Sequence, residues 1–115
     1  MNNKDMRVFE KMVKYCDEIN ATLAEFDNDK NNFLNSATAK NAISMCILQI
    51  GELVGHLHYE TVEEFPQIPW RKIRGMRNIA AHNYESFDWE IVWYIATVEV
   101  KELKAFCQKV IADFE

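Results

Sequence analysis

Apolar residues recur at alternating spacings of three and four along most of this chain, and that periodicity restricts it to long helices. Phe9, Met12/Val13, Cys16, Ile19, Leu23 and Phe26 fall on one stripe of a helix predicted from about Asp5 to Phe26. The polar run Asp27-Asn28-Asp29-Lys30-Asn31-Asn32 breaks it, because Asn and Asp bond readily to their own backbone and favour turns. A second helix is predicted from near Ser36 to about Leu57. Ala39, Ile43, Cys46, Ile50, Leu53 and Leu57 form its main stripe, and Met45, Ile47, Leu48 and Val54 widen it. A helix this apolar is expected to be central, or to face both its own core and another subunit.

A short helical turn is expected around Thr61 to Phe65, ended by Pro66-Gln67-Ile68-Pro69, since each proline disfavours helix in the residue before it. Pro69 is then suited to open a helix from Trp70 to about Ala81. The last helix is predicted to start at Asp88 as N-cap, with Phe87 and Val92 spaced as a hydrophobic staple. Its core stripe is Trp89, Val92/Trp93, Ala96, Val100, Leu103, Cys107, Val110 and Phe114. No Asn-Gly or Asp-Gly turn separates alternating segments, so no strand pair is predicted. With three glycines and two prolines in 115 residues, the chain reads as one domain over residues 1–115. The fold class expected is all-α: an up-and-down bundle of three long helices plus one or two short ones.

A net charge of −5 argues against sequence-independent coating of duplex nucleic acid. Cys16, Cys46 and Cys107 are scattered, form no CxxC, and each sits on an apolar stripe, so they read as reduced core thiols of a cytoplasmic protein. No apolar run approaches a membrane span. Asp27-x-Asp29-x-Asn31 opens like a calcium loop, but Asn32 stands where glycine is needed and Thr38 where the bidentate glutamate belongs. His56-x-His58 lacks the i, i+4 spacing of a zinc pair. No metal and no cofactor is expected. The absence of a glycine-rich phosphate loop argues against a nucleotidyltransferase.

The chemistry concentrates in Arg77-Asn78-Ile79-Ala80-Ala81-His82-Asn83-Tyr84, preceded by Arg71, Lys72 and Arg74. Arg77 can grip phosphate oxygens in bidentate fashion, and an unperturbed imidazole titrates near ~6.5. A phosphate clamp beside a proton-transfer group is the minimum for metal-free RNA cleavage. Five residues along a regular helix rotate by about 140°, so Arg77 and His82 do not share a face. Either the helix frays before His82, or Asn78, four residues earlier, orients the imidazole. A symmetric dimer would bring two such pairs into one cleft. The competing interpretation is a cationic helix C-terminus that merely complements the dipole. Arg74 is expected to face the cleft and Lys72 the surface, where the basic cluster could pair with Glu60, Glu63 and Glu64. Glu52 is either a solvated or salt-bridged helix residue, for instance paired with an arginine of the basic cluster, or it helps position Arg77 or His82 or lines the cleft.

The segment from Pro66 to Tyr84, with Ile50-Gly51-Glu52 upstream and Phe87-Asp88-Trp89-Glu90-Ile91-Val92-Trp93 downstream, resembles the HepT-like family of the HEPN superfamily. The resemblance spans nearly the whole chain and rests on an intact R-x4-H-x-Y. It implies a homodimer with two motifs at the subunit interface, acting on RNA without metal as the toxin of a toxin–antitoxin pair. It also implies a partner of the minimal nucleotidyltransferase (MNT) type that neutralises the toxin by AMP transfer to the motif tyrosine. By position, Arg77 and His82 become the catalytic pair and Tyr84 the acceptor of AMP. The other role compatible with these residues is a non-catalytic subunit presenting a nucleotide, or Tyr84, to that partner.

Overall fold

The computed structural model describes residues 1–82 and 88–114, the side chains of 79–82 excepted. Their regular structure is all helical, with no strand among them. Helix α1 (Asn3–Glu25) begins two residues earlier than its apolar stripe suggests, because the Asn2 side chain caps it, accepting from the Asp5 backbone N–H at 2.8 Å. Its buried stripe is Val8, Phe9, Met12, Cys16, Ile19 and Leu23. The break at Asp27-Asn28 takes a specific form. Both residues are left-handed, with φ of 61° and 52°. The Asn28 N–H donates to Leu23 O at 2.8 Å and the Asp27 N–H to Ala24 O at 3.1 Å. These two bonds satisfy carbonyls that the helix end leaves open.

The rest of the polar run is not loop. Asp29 caps a short helix α2 (Lys30–Leu34), accepting from the Asn32 N–H at 2.9 Å, and Phe33 becomes fully buried. Helix α3 (Ala37–Val54) starts where expected, at an N-cap Ser36. It stops at Val54 rather than Leu57. The last turn tightens through Gly55 N–H to Glu52 O, His56 N–H to Leu53 O and Leu57 N–H to Val54 O, and the His58 N–H leaves to bond the Asp5 carboxylate at 3.2 Å. Leu57 stays buried outside the helix.

Helix α4 (Tyr59–Glu64) and helix α5 (Trp70–His82) follow. The Trp70 indole N–H donates to Val62 O and Phe65 O, at 3.1 and 3.0 Å, and so pins the start of α5 to the end of α4. Asp88 caps helix α6 (Trp89–Tyr94), accepting from the Glu90 and Ile91 N–H groups. The staple partner Phe87 lies outside the described residues. A π-helical turn, Ile95–Glu99, joins α6 to helix α7 (Val100–Phe114). The sequence-level stripe holds through the π turn to Val110, but Phe114 at its end is exposed.

Helix α1 packs on both α3 and α7, and α3 packs on α5, so α3 is central as its apolarity requires. One continuous core runs through the bundle. At one end, the Phe9 ring meets Phe65, Trp70 and Phe106 at centroid separations of 6.2–6.5 Å. The three cysteines are buried, and burial pushes their thiols up to about 12. No helix among the described residues is long and apolar enough to cross a membrane.

Candidate active site

The motif rides on α5, and α5 is held unusually close to α3 by one glycine. A Cβ placed on Gly51 would lie 2.9 Å from Arg77 Cβ, 3.0 Å from Arg77 N and 3.1 Å from Ile73 O. Only a residue without a side chain lets the two backbones approach this far. One turn on, a Cβ at Gly55 would lie 3.5 Å from the Arg74 guanidinium carbon. Gly51 and Gly55 thus form a shallow groove in which the root of Arg77 and the head of Arg74 lie.

Arg77 emerges from this contact into solvent. Its Nη1 forms an ion pair with Glu52 Oε1 at 3.2 Å, with the two side chains 40% and 45% exposed. Glu52 therefore pairs with the motif's own arginine rather than with one of the basic cluster. Guanidinium has five N–H donors, so one bond to Glu52 leaves most of the fork facing water. An exposed pair of this kind contributes only about 0–1 kcal/mol to stability.

Arg74 and Asn78 are exposed on the same helix. Lys72 is exposed too, as expected for a surface residue, but it pairs with Glu99 of the π turn rather than with Glu60, Glu63 or Glu64. The helix does not fray before His82: its backbone is helical through that residue. The register therefore sets positions 77 and 82 about 140° apart, while 78 and 82 share a face. The His82 side chain and the whole of Tyr84 lie outside the described residues.

A second polar cluster, which the sequence did not announce, ties the N-terminus to the α3–α4 connection. Asp5 is fully buried; it accepts from Thr61 Oγ1 and the His58 N–H, and His58 Nδ1 stands 3.5 Å from its Oδ1. Burial alone would push this carboxyl up, but the hydrogen bonds from Thr61 and the His58 backbone, helped by the imidazole, hold it below the usual range. Asn2 Nδ2 lies 2.9 Å from His58 Nδ1 and completes the tie. A charged residue in a helix's first turn reads in sequence as a complement to the dipole, so nothing marked Asp5 as buried. Among the described residues, no three His, Cys, Asp or Glu side chains gather to hold a metal ion.

Comparison with known proteins finds relatives over most of the chain. Residues 12–110 match the family model described as "Ribonuclease HepT-like". "Putative RNase MJ0125" of Methanocaldococcus jannaschii is 33% identical over 100% of this chain and 98% of its own length. "Putative RNase MJ1216" of the same organism is 30% identical over 100% of this chain and 94% of its own. "Putative RNase TTE0752" of Caldanaerobacter subterraneus is 30% identical over 64% of this chain and 65% of its own. No solved structure gives a significant match.

Proposed function

Because the chain belongs to the ribonuclease HepT-like family, we propose that it is a metal-independent endoribonuclease whose site is built from Arg77 and His82 at the interface of a homodimer. The observation that carries this is the Arg77 placement: its Cβ is rooted against Gly51, and its guanidinium is paired with Glu52 and partly open to solvent, on the helix that includes His82.

In this mechanism a 2′-hydroxyl of the RNA attacks the adjacent phosphorus. An imidazole accepts the hydroxyl proton, the guanidinium compensates the charge growing on the phosphoryl oxygens, and the departing 5′-oxygen takes a proton from a second acid. The products are a 2′,3′-cyclic phosphate and a 5′-hydroxyl. Neither water nor a metal-bound nucleophile enters the cleavage step. One α5 helix supplies Arg77 and His82 on divergent faces, which suits a site shared between two chains better than one within a chain. Arg74 adds a second cation one turn away, Asn78 shares the face of position 82, and Glu52 acts as a positioning residue.

The protein is, in this proposal, the toxin of a toxin–antitoxin pair whose partner is an MNT-type nucleotidyltransferase. Tyr84, two residues beyond His82, attacks the α-phosphorus of a nucleoside triphosphate bound by that partner, and pyrophosphate leaves. The attached AMP would set an anion beside Arg77 and compete with RNA for it.

The decisive experiment is cleavage of labelled tRNA and mRNA in EDTA by wild type and His82→Ala, after intact mass has shown Tyr84 unmodified. Cyclic phosphate ends from wild type alone are expected. Cleavage at full rate by His82→Ala overturns the assignment of the base. No cleavage by either points to the non-catalytic, nucleotide-presenting subunit.

A further inference from the structure

On the side of α5 away from the Arg74 head lies a cavity of about 220 Å³ between α3, α5, the π turn and α7. Ile47, Ile50, Ile73, Met76, Ile95 and Leu103 give it an apolar wall. An apolar cavity of about 150 Å³ takes up benzene, so this one has room for a bicyclic ring. Its mouth is polar and carries more negative charge than positive: Lys72 faces both Glu99 and Glu102. Lys72 Nζ bonds Glu99 Oε1, while Glu99 Oε2 is shielded from solvent and has no hydrogen-bond partner among the described residues. Carboxylate oxygens left unpaired away from water are uncommon and mark places where a donor is missing. Lys72 itself is 61% exposed, so its arm can swing into water and yield the carboxylate to another cation.

The backbone at this cavity is also irregular. Ile95 and Glu99, the two ends of the π turn, both line it. Single π turns inside helices interrupt the regular hydrogen-bond ladder and occur frequently at functional sites. Here the turn supplies one apolar wall residue and the carboxylate at the mouth.

We propose that this cavity is a binding site for a small apolar amine, a ligand of one or two rings with a single ammonium group. The ring fills the space among Ile50, Ile73, Ile95 and Leu103, and the ammonium meets the Glu99–Glu102 edge in place of Lys72 Nζ. A ligand with the same ring and a carboxylate is repelled by the net charge of the mouth and leaves the Glu99 oxygen unpaired. The site is separate from the Arg77 face and does not depend on the ribonuclease function.

The test uses tryptamine as probe and 3-indolepropionate as its anionic counterpart, read by NMR of the isoleucine methyl groups. Saturable shifts of the Ile73 and Ile95 methyls with tryptamine are expected, with affinity at least tenfold weaker for the propionate. Leu103→Trp, which fills a half-buried part of the wall, should abolish the shifts. Glu99→Gln should remove the preference for the amine while the ring still enters. Absence of saturable shifts with tryptamine, equal binding of the two probes by wild type, or unchanged binding by Leu103→Trp each overturns the proposal. Should Leu103→Trp fail to fold, the loss or retention of the amine preference in Glu99→Gln decides.

Discussion

Single side chains divide here into those that hold the fold and those left free to act. Asp5 holds the fold: removing its carboxylate strands the Thr61 hydroxyl and the His58 N–H in a buried place. Asp5→Ala should lower stability by about 2–4 kcal/mol, measurable by urea unfolding. Its pH signature follows from the direction of its shift. A carboxyl held lower in the folded state than in the unfolded chain contributes stability that is present above the ordinary value of 3.8 and is lost as pH falls through the folded value. Wild type should therefore lose stability in acid below about pH 4, and Asp5→Ala should lose less over the same range. The cysteines give a complementary prediction. With thiols pushed up to about 12 and fully shielded, Cys16 and Cys107 should not react with Ellman's reagent at pH 8 until the protein is unfolded. Arg77 belongs to the other class, since its Glu52 bridge is half-exposed and contributes little to the fold.

Pairs of elements explain both what the sequence revealed and what it hid. The stripes of α1 and α3 were legible because amphipathic periodicity is a local signal, and so was the cap at Asp88. Helix α2 was hidden because Asp29-Lys30-Asn31-Asn32 carries turn-forming residues, and only the burial of Phe33 against Trp89 and Trp93 makes a helix there worthwhile. The π turn was hidden because a stripe of Val92, Ala96 and Val100 fits an ordinary helix equally well. The candidate site was half legible. Its residue types stood in one run, but the Gly51–Arg77 contact joins positions 26 apart and has no local trace. That contact gives a prediction with a built-in control. Gly51→Ala must push α5 off α3 and should cost about 1–2 kcal/mol net, with loss of RNA cleavage because Arg77 moves. Gly75→Ala lies in the same helix with nothing within 4 Å of the new methyl. It should raise stability by about 0.5–1 kcal/mol and leave cleavage intact, both read by thermal melts and a nuclease assay. Tolerance at Gly51 would contradict the close approach, and a loss of stability at Gly75 would contradict the open space there.

For the molecule as a whole, the register of α5 bears on how the proposed site is assembled. Its backbone is helical through His82, so Arg77 and position 82 diverge by about 140° on a single helix. In the proposed homodimer, a two-fold axis would set the Arg77 of one chain towards position 82 of the other. The consequence can be read by mixing inactive proteins. Let Arg77→Ala and His82→Ala be unfolded, combined in equal amounts and refolded together. Random pairing makes about half of the dimers mixed, and in each mixed dimer one site carries both lesions while the other carries none. If the two motifs act as independent sites, and each takes its guanidinium from one chain and its imidazole from the other, the mixture should recover about one quarter of wild-type cleavage. If both groups come from the same chain, every site in the mixed dimer keeps one lesion and activity stays absent. The refolded mixture must sediment as a dimer for the comparison to count. Recovery would also explain why the steering by Glu52 and Gly51 matters, because an arginine serving a neighbour's site must be aimed outward from its own core.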